Sequence, residues 1–98
     1  MAEETTDLPQ LYVVFLGGDP APGRMGEDHE VVAVVASDVK SARAKARAKW
    51  TGVSKGHVDA VRVLKVIDGY EIVLQPSPFD DVTELDVTYE PADVDEAL

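Results

Sequence analysis

Two histidines, each close in sequence to a carboxylate, are the side chains best suited to chemistry in this 98-residue chain. They form the pairs His29–Glu30 and His57–Asp59. Two imidazoles and a carboxylate can hold zinc or another divalent metal with a water in an open position, and a His–Asp pair can act as a general base. The four residues are therefore a candidate ligand-binding site, with His29, His57 and Asp59 as candidate metal ligands. The alternative is that each histidine is an ordinary strand-end residue, and the spacing matches no HExxH-type motif.

The strands that carry the histidines decide whether these side chains meet. The apolar run 11–16 predicts a buried strand, and the Val-rich run 31–36 predicts a second strand after a loop of glycines and prolines. His57 begins a third predicted strand. If the two histidine-bearing strands are parallel neighbours, or if their loops fold over, the imidazoles and carboxylates converge.

A helix and a second hairpin complete the predicted order. Residues 39–50 combine alanines with lysines and arginines at helical spacing, after a capping Ser37 or Asp38. The Asp68-Gly69 pair predicts a tight turn between strands at 57–67 and 70–75. The order β-β-α-β-β predicts an α+β fold, an antiparallel sheet of four or five strands with one helix on one face.

The boundaries follow from composition. We expect a flexible arm at 1–10, a globular domain at 11–76 and an acidic tail at 77–98, which includes a candidate edge strand at 83–89. Because one helix cannot cover both faces of a sheet, the uncovered face predicts a homodimer.

Charge is distributed unevenly along the chain. The net charge is −10, made of −6 in residues 1–37, +6 in 38–65 and −10 in 66–98. This surplus argues against binding to nucleic acid or to an anionic membrane, although the basic helix or the acidic tail can contact a protein partner. With no cysteine and no long apolar run, we expect a cytoplasmic protein without thiol chemistry and without a cofactor.

Several short motifs together resemble a bacterial family, the domain-of-unknown-function family number 1543, over about residues 12–74. The resemblance implies a small bacterial domain with no assigned activity. One departure lies before the second strand, where the family pattern of acid, apolar, His, Asp reads Glu27-Asp28-His29-Glu30. The motifs that carry the resemblance are Leu16-Gly17-Gly18, the acidic step from Glu27 to Glu30, Trp50, His57-Val58-Asp59-Ala60 and Val66-Ile67-Asp68-Gly69-Tyr70.

The sequence as a whole favours a non-catalytic binding or regulatory module that acts as a homodimer. A small enzyme or divalent-metal-binding protein that uses the His/carboxylate group is the first alternative. An acidic mimic of nucleic acid, suggested by the charge of −10, is the second. No serine lies in a nucleophile motif, which argues against acyl-transfer chemistry.

Overall fold

The computed structural model describes residues 8–78 of the chain. Three strands form an antiparallel sheet, a helix packs on one face of it, and two short strands form a separate hairpin. The α+β class with one helix on an antiparallel sheet is confirmed. The predicted edge strand at 83–89, and most of the predicted arm and tail, lie outside the described residues. In chain order the elements are β1 (Gln10–Gly18), β2 (Asp28–Ala36), α1 (Val39–Ala48), β3 (His57–Val63), β4 (Val66–Ile67) and β5 (Tyr70–Glu71).

Strand β1 lies in the centre of the sheet, in the order β2-β1-β3. It is antiparallel to both neighbours, so β2 and β3 run parallel to each other on either side of it. The run of apolar residues in β1 suits this position, because a central strand is flanked on both edges and one of its faces lies in the core. Helix α1 connects the two outer strands.

The pairing of β3 differs from the prediction. The prediction of a hairpin between 57–67 and 70–75 is wrong for most of its length, because β3 pairs with β1. Past the end of β3, Leu64 N–H still donates to Leu11 O at 2.9 Å. Backbone groups along the second edge of β1 need partners, and β3 supplies them. The hairpin itself is limited to β4 and β5, although its predicted turn is observed, with positive φ at Asp68 and Gly69.

The core lies between the sheet and α1. Alternate side chains of β1 point to the helix, because successive residues of a strand face opposite sides. Two alanines of α1 are fully buried against them, and their small size allows the helix to lie close to the sheet. The other side of the sheet, which we call the open face, is not covered by the helix. The buried apolar side chains are those of Tyr12, Val14, Leu16, Val34, Ala36, Ala42 and Ala46.

Two lysines of the helical segment protect the outer edge of β2. Lys45 Nζ donates to Val35 O at 2.6 Å, and Lys49 Nζ donates to Ala33 O at 2.8 Å. An edge strand otherwise presents unpaired carbonyl groups on which another chain can add a strand. Part of the basic charge of 38–65 therefore stabilises the fold. The helix that the structure describes is too short and too polar to cross a membrane.

Asp38 caps the N-terminus of α1. Its carboxylate accepts a hydrogen bond from Ser41 N–H at 2.8 Å, which satisfies one of the backbone donors left free in the first turn. This bond from the Ser41 backbone holds the pKa of Asp38 below its usual range. A carboxyl whose pKa is depressed by folding stabilises the folded chain above its ordinary pKa, and that contribution is lost as pH falls through the lower, folded pKa.

We therefore expect Asp38→Ala to lower the free energy of unfolding at pH 7. The difference in free energy of unfolding between the two chains should shrink as pH falls through the pKa of folded Asp38. Protonation then removes from the unsubstituted chain the charged cap that the variant already lacks. Urea unfolding at several pH values measures it. Asp19→Ala, in an exposed loop, is the control, and an equal loss of stability in both variants would contradict the role of Asp38.

Candidate functional site

Gly17, near the end of β1, is the point at which the two histidines meet. It pairs with His29 on β2 and with His57 on β3. Directly paired residues of a sheet project from the same face, so both imidazoles flank Gly17 on the open face. The sequence allowed the histidine-bearing strands to be parallel neighbours. They are parallel, but β1 lies between them, and the histidines converge across it.

A β-bulge in β3 adds a carboxylate to this group. Phe15 pairs with Ala60, but the next residue of β1, Leu16, pairs with Val58, so Asp59 is an extra residue without a partner. Bulges re-aim side chains and often lie next to functional sites. Here the bulge keeps Asp59 on the open face beside His57.

The bulge also corrects the predicted faces of β3. Strict alternation along β3 predicts Val61 and Val63 on the face of His57 and Asp59. In the structure they pair with the buried residues Val14 and Tyr12, so they lie on the helix side. One extra residue exchanges the two faces of every position beyond it, because side chains alternate with a period of two.

Four side chains form what we call the histidine–carboxylate cluster: Glu27, His29, His57 and Asp59. His57 Nε2 lies 3.1 Å from Asp59 Oδ1 and 3.5 Å from Glu27 Oε2. His29 Nδ1 lies 3.7 Å from the other oxygen of Asp59, Oδ2. The side chains of all four are partly exposed, so the cluster is accessible from solvent.

The ring of His29 is held from two directions. Its Nδ1 is 3.3 Å from Leu16 O, and since a carbonyl only accepts, the bond requires the proton on Nδ1. The ring also stacks on Phe15, with centroids 5.0 Å apart and planes 9° from parallel. His29 is thereby oriented with Nδ1 toward Asp59.

The absence of a side chain at Gly17 makes room for the cluster. A Cβ at this position would lie 2.8 Å from Asp59 Oδ2, 3.0 Å from Glu27 Oε1 and 3.0 Å from His29 Nδ1. Polar atoms from three different segments therefore converge on the space that a side chain of any other residue would fill.

Glu30, which the sequence predicts to lie with the histidines, lies apart from them. It pairs with Leu16 on the helix side of the sheet, and its carboxylate accepts hydrogen bonds from Thr51 N–H and Thr51 Oγ1. Glu27 occupies the place in the cluster that was expected for Glu30. The signal for this exchange was in the sequence, because Glu27 and His29 are two residues apart and therefore share a face of an extended chain.

The loop before β2 is fixed by Asp28. Its carboxylate accepts from Arg24 Nη2 at 2.5 Å and from Ala21 N–H at 3.1 Å, and the bond from Arg24 holds the pKa of Asp28 below its usual range. Arg24, the only base of the glycine-rich loop, is thus already paired. A shallow depression of about 380 Å³ lies beside this pair on the side of Trp50, and of the cluster only His29 borders it.

Comparison with known proteins identifies a family and no activity. The family model described as Domain of Unknown Function (DUF1543) matches residues 24–74, which is more than half of the chain, so the resemblance read from the motifs is confirmed. No curated protein and no solved structure matches the chain. The matched range contains all four residues of the histidine–carboxylate cluster.

We expect Asp59→Asn to shift the side-chain NMR signals of both histidines, because one oxygen of the Asp59 carboxylate faces His57 and the other faces His29. Long-range ¹H–¹⁵N spectra of the imidazoles measure the effect. Asp68→Asn, in the turn of the β4–β5 hairpin, removes the same charge outside the cluster and should leave both signals in place. A shift of only one histidine would contradict the convergence.

Proposed function

The chain belongs to the family described as Domain of Unknown Function (DUF1543), and we propose that it is a non-catalytic binding module that acts as a homodimer. The open face buries against a second copy, and the histidine–carboxylate cluster at the end of that face is the ligand site. The observation that carries this proposal is the apolar character of a sheet face that α1 does not cover.

The open face is apolar and accessible on β1 and β2. Phe15 is 40% exposed, Val31 64% and Val35 42%, all on the side opposite the helix. Contiguous apolar surface of this kind is typical of protein interaction sites, because its removal from water is favourable. The residues of this face, besides the cluster, are Leu11, Val13, Phe15, Val31, Ala33, Val35, Ala60 and Arg62.

The charge pattern of the open face favours a second copy with reversed strands. The carboxylates of the cluster lie at the Gly17 end, whereas Arg62 lies opposite Val13, nearer the other end. In a two-fold dimer with strands in the same direction, the two clusters would meet and repel each other. With reversed strands, each cluster approaches Arg62 of the second copy, so the face is complementary to itself.

The acidic alternative is less well supported by the described residues. Residues 8–78 carry eight acids and nine bases, so the surplus of negative charge belongs to residues outside the described range. A mimic of nucleic acid needs carboxylates arranged along an ordered surface. The described surface has a small acidic group at the cluster and a basic helix elsewhere.

The mass of the full chain in solution tests the homodimer. Light scattering coupled to size exclusion should give twice the chain mass, and Val31→Lys should raise the dimer dissociation constant at least tenfold, because it buries a charge in an apolar interface. Met25→Lys is the matched control, since Met25 is 97% exposed in the loop between β1 and β2 and lies off this face. A monomeric chain, or equal effects of the two variants, would overturn the proposal.

The orientation of the two copies is tested by the same measurement. Arg62→Glu places an acid opposite the cluster and should weaken the dimer, most strongly at low salt. Lys40→Glu makes the same charge change on α1, away from the open face, and should have little effect. A dimer that Arg62→Glu leaves unchanged would exclude the reversed arrangement.

A further inference from the structure

We propose that Glu27, His57 and Asp59 bind a divalent first-row transition metal ion. The ligand atoms of these three residues all lie within 4.8 Å of one another. They offer one imidazole nitrogen and two carboxylate oxygens, a donor set suited to Zn²⁺, Mn²⁺ and related ions. The inference rests on the proposed ligand site, but it does not depend on the homodimer.

The spacing of the donors fits an ion between them. Metal bonds to imidazole nitrogen and carboxylate oxygen are about 2.0–2.2 Å long, which places adjacent ligands about 3–3.5 Å apart. His57 Nε2 lies 3.1 Å from Asp59 Oδ1 and 3.5 Å from Glu27 Oε2. An ion can therefore bind after small rotations of exposed side chains, without movement of the strands.

The charges of the cluster also call for a cation. Glu27 and Asp59 both face the same nitrogen of His57, and two carboxylates brought this close repel each other. A proton on His57 Nε2 supplies one positive charge. A divalent ion supplies two and uses the same nitrogen as a neutral ligand, so metal and proton compete for one position.

His29 acts in this site as a positioning residue. Its Nδ1 faces Oδ2 of Asp59, while Oδ1 of the same carboxylate faces His57. At 3.7 Å this contact is longer than a hydrogen bond, and the Nδ1 proton is donated to Leu16 O, so His29 limits the position of the Asp59 carboxylate by contact. Since Phe15 and Leu16 O hold the His29 ring, Asp59 is aimed by the sheet itself.

Gly17 marks the point of the backbone over which these side chains converge. A Cβ there would lie closer to Asp59 Oδ2 and Glu27 Oε1 than carbon atoms normally approach. Asp59 Oδ2 and Glu27 Oε1 are the ends of exposed side chains that can rotate away, whereas His29 Nδ1, 3.0 Å from the same Cβ, belongs to the ring held by Phe15 and Leu16 O. Alanine at Gly17 is therefore expected to displace the cluster more than it disturbs the sheet.

Metal titration of the full chain tests the proposal. Co²⁺, a spectroscopic substitute for Zn²⁺, should produce visible absorption bands with one equivalent bound, and calorimetry with Zn²⁺ should give the same stoichiometry. Asp59→Asn and His57→Ala should each lower the affinity at least tenfold. Gly17→Ala should lower it while the unfolding midpoint stays close to that of the unsubstituted chain.

Glu30→Gln is the matched control for these variants. It removes a carboxylate adjacent to His29 in sequence, but on the helix side of the sheet, and it should leave the affinity unchanged. Binding that persists in Asp59→Asn and His57→Ala would overturn the site, because the metal would then bind elsewhere, for example to carboxylates outside the described residues. The absence of any binding would also overturn it. Failure here with a chain of dimeric mass leaves the homodimer standing, whereas a monomeric chain that binds Co²⁺ through His57 supports this site alone.

Discussion

The central position of β1, between two antiparallel partners, is the constraint on which the rest of the structure depends. Its backbone groups are satisfied on both edges, and its alternate side chains Tyr12, Val14 and Leu16 supply much of the buried core. Because β2 and β3 both run opposite to β1, they run parallel to each other and need a long connection, which α1 provides. The helix can then cover one face of the sheet and leaves the other open.

The same constraint produces the histidine–carboxylate cluster. Two strands that carry a histidine as their first or second residue are placed on either side of one glycine, and the bulge adds Asp59 to the face on which the histidines meet. His29, His57 and Asp59 are thus placed by backbone pairing, and Glu27 joins them from the residue before β2. Exposed ion pairs of this kind contribute little to stability, so the fold does not depend on their convergence around Gly17.

Charge and apolar surface are separated within residues 8–78. Five of the nine bases lie on α1 or at its C-cap, where Lys45 and Lys49 protect the edge of β2. The open face carries apolar residues with the cluster at one end. A ligand at the cluster and a second copy on the open face would therefore meet at the same boundary. Binding of one would change the charge that the other encounters.

The sequence by itself determined the features that depend on neighbouring residues: the strand at β2, the capped helix α1, the Asp68-Gly69 turn and the class of the fold. Local geometry decides each of these, so residue types and spacing suffice. Only the tertiary structure decided that β3 pairs with β1, that a bulge turns Val61 to the core, and that Glu27 rather than Glu30 joins the histidines. Backbone hydrogen-bonding groups are the same in almost every residue, so partner and register are set by packing between distant segments, and one unpaired residue exchanges the faces beyond it.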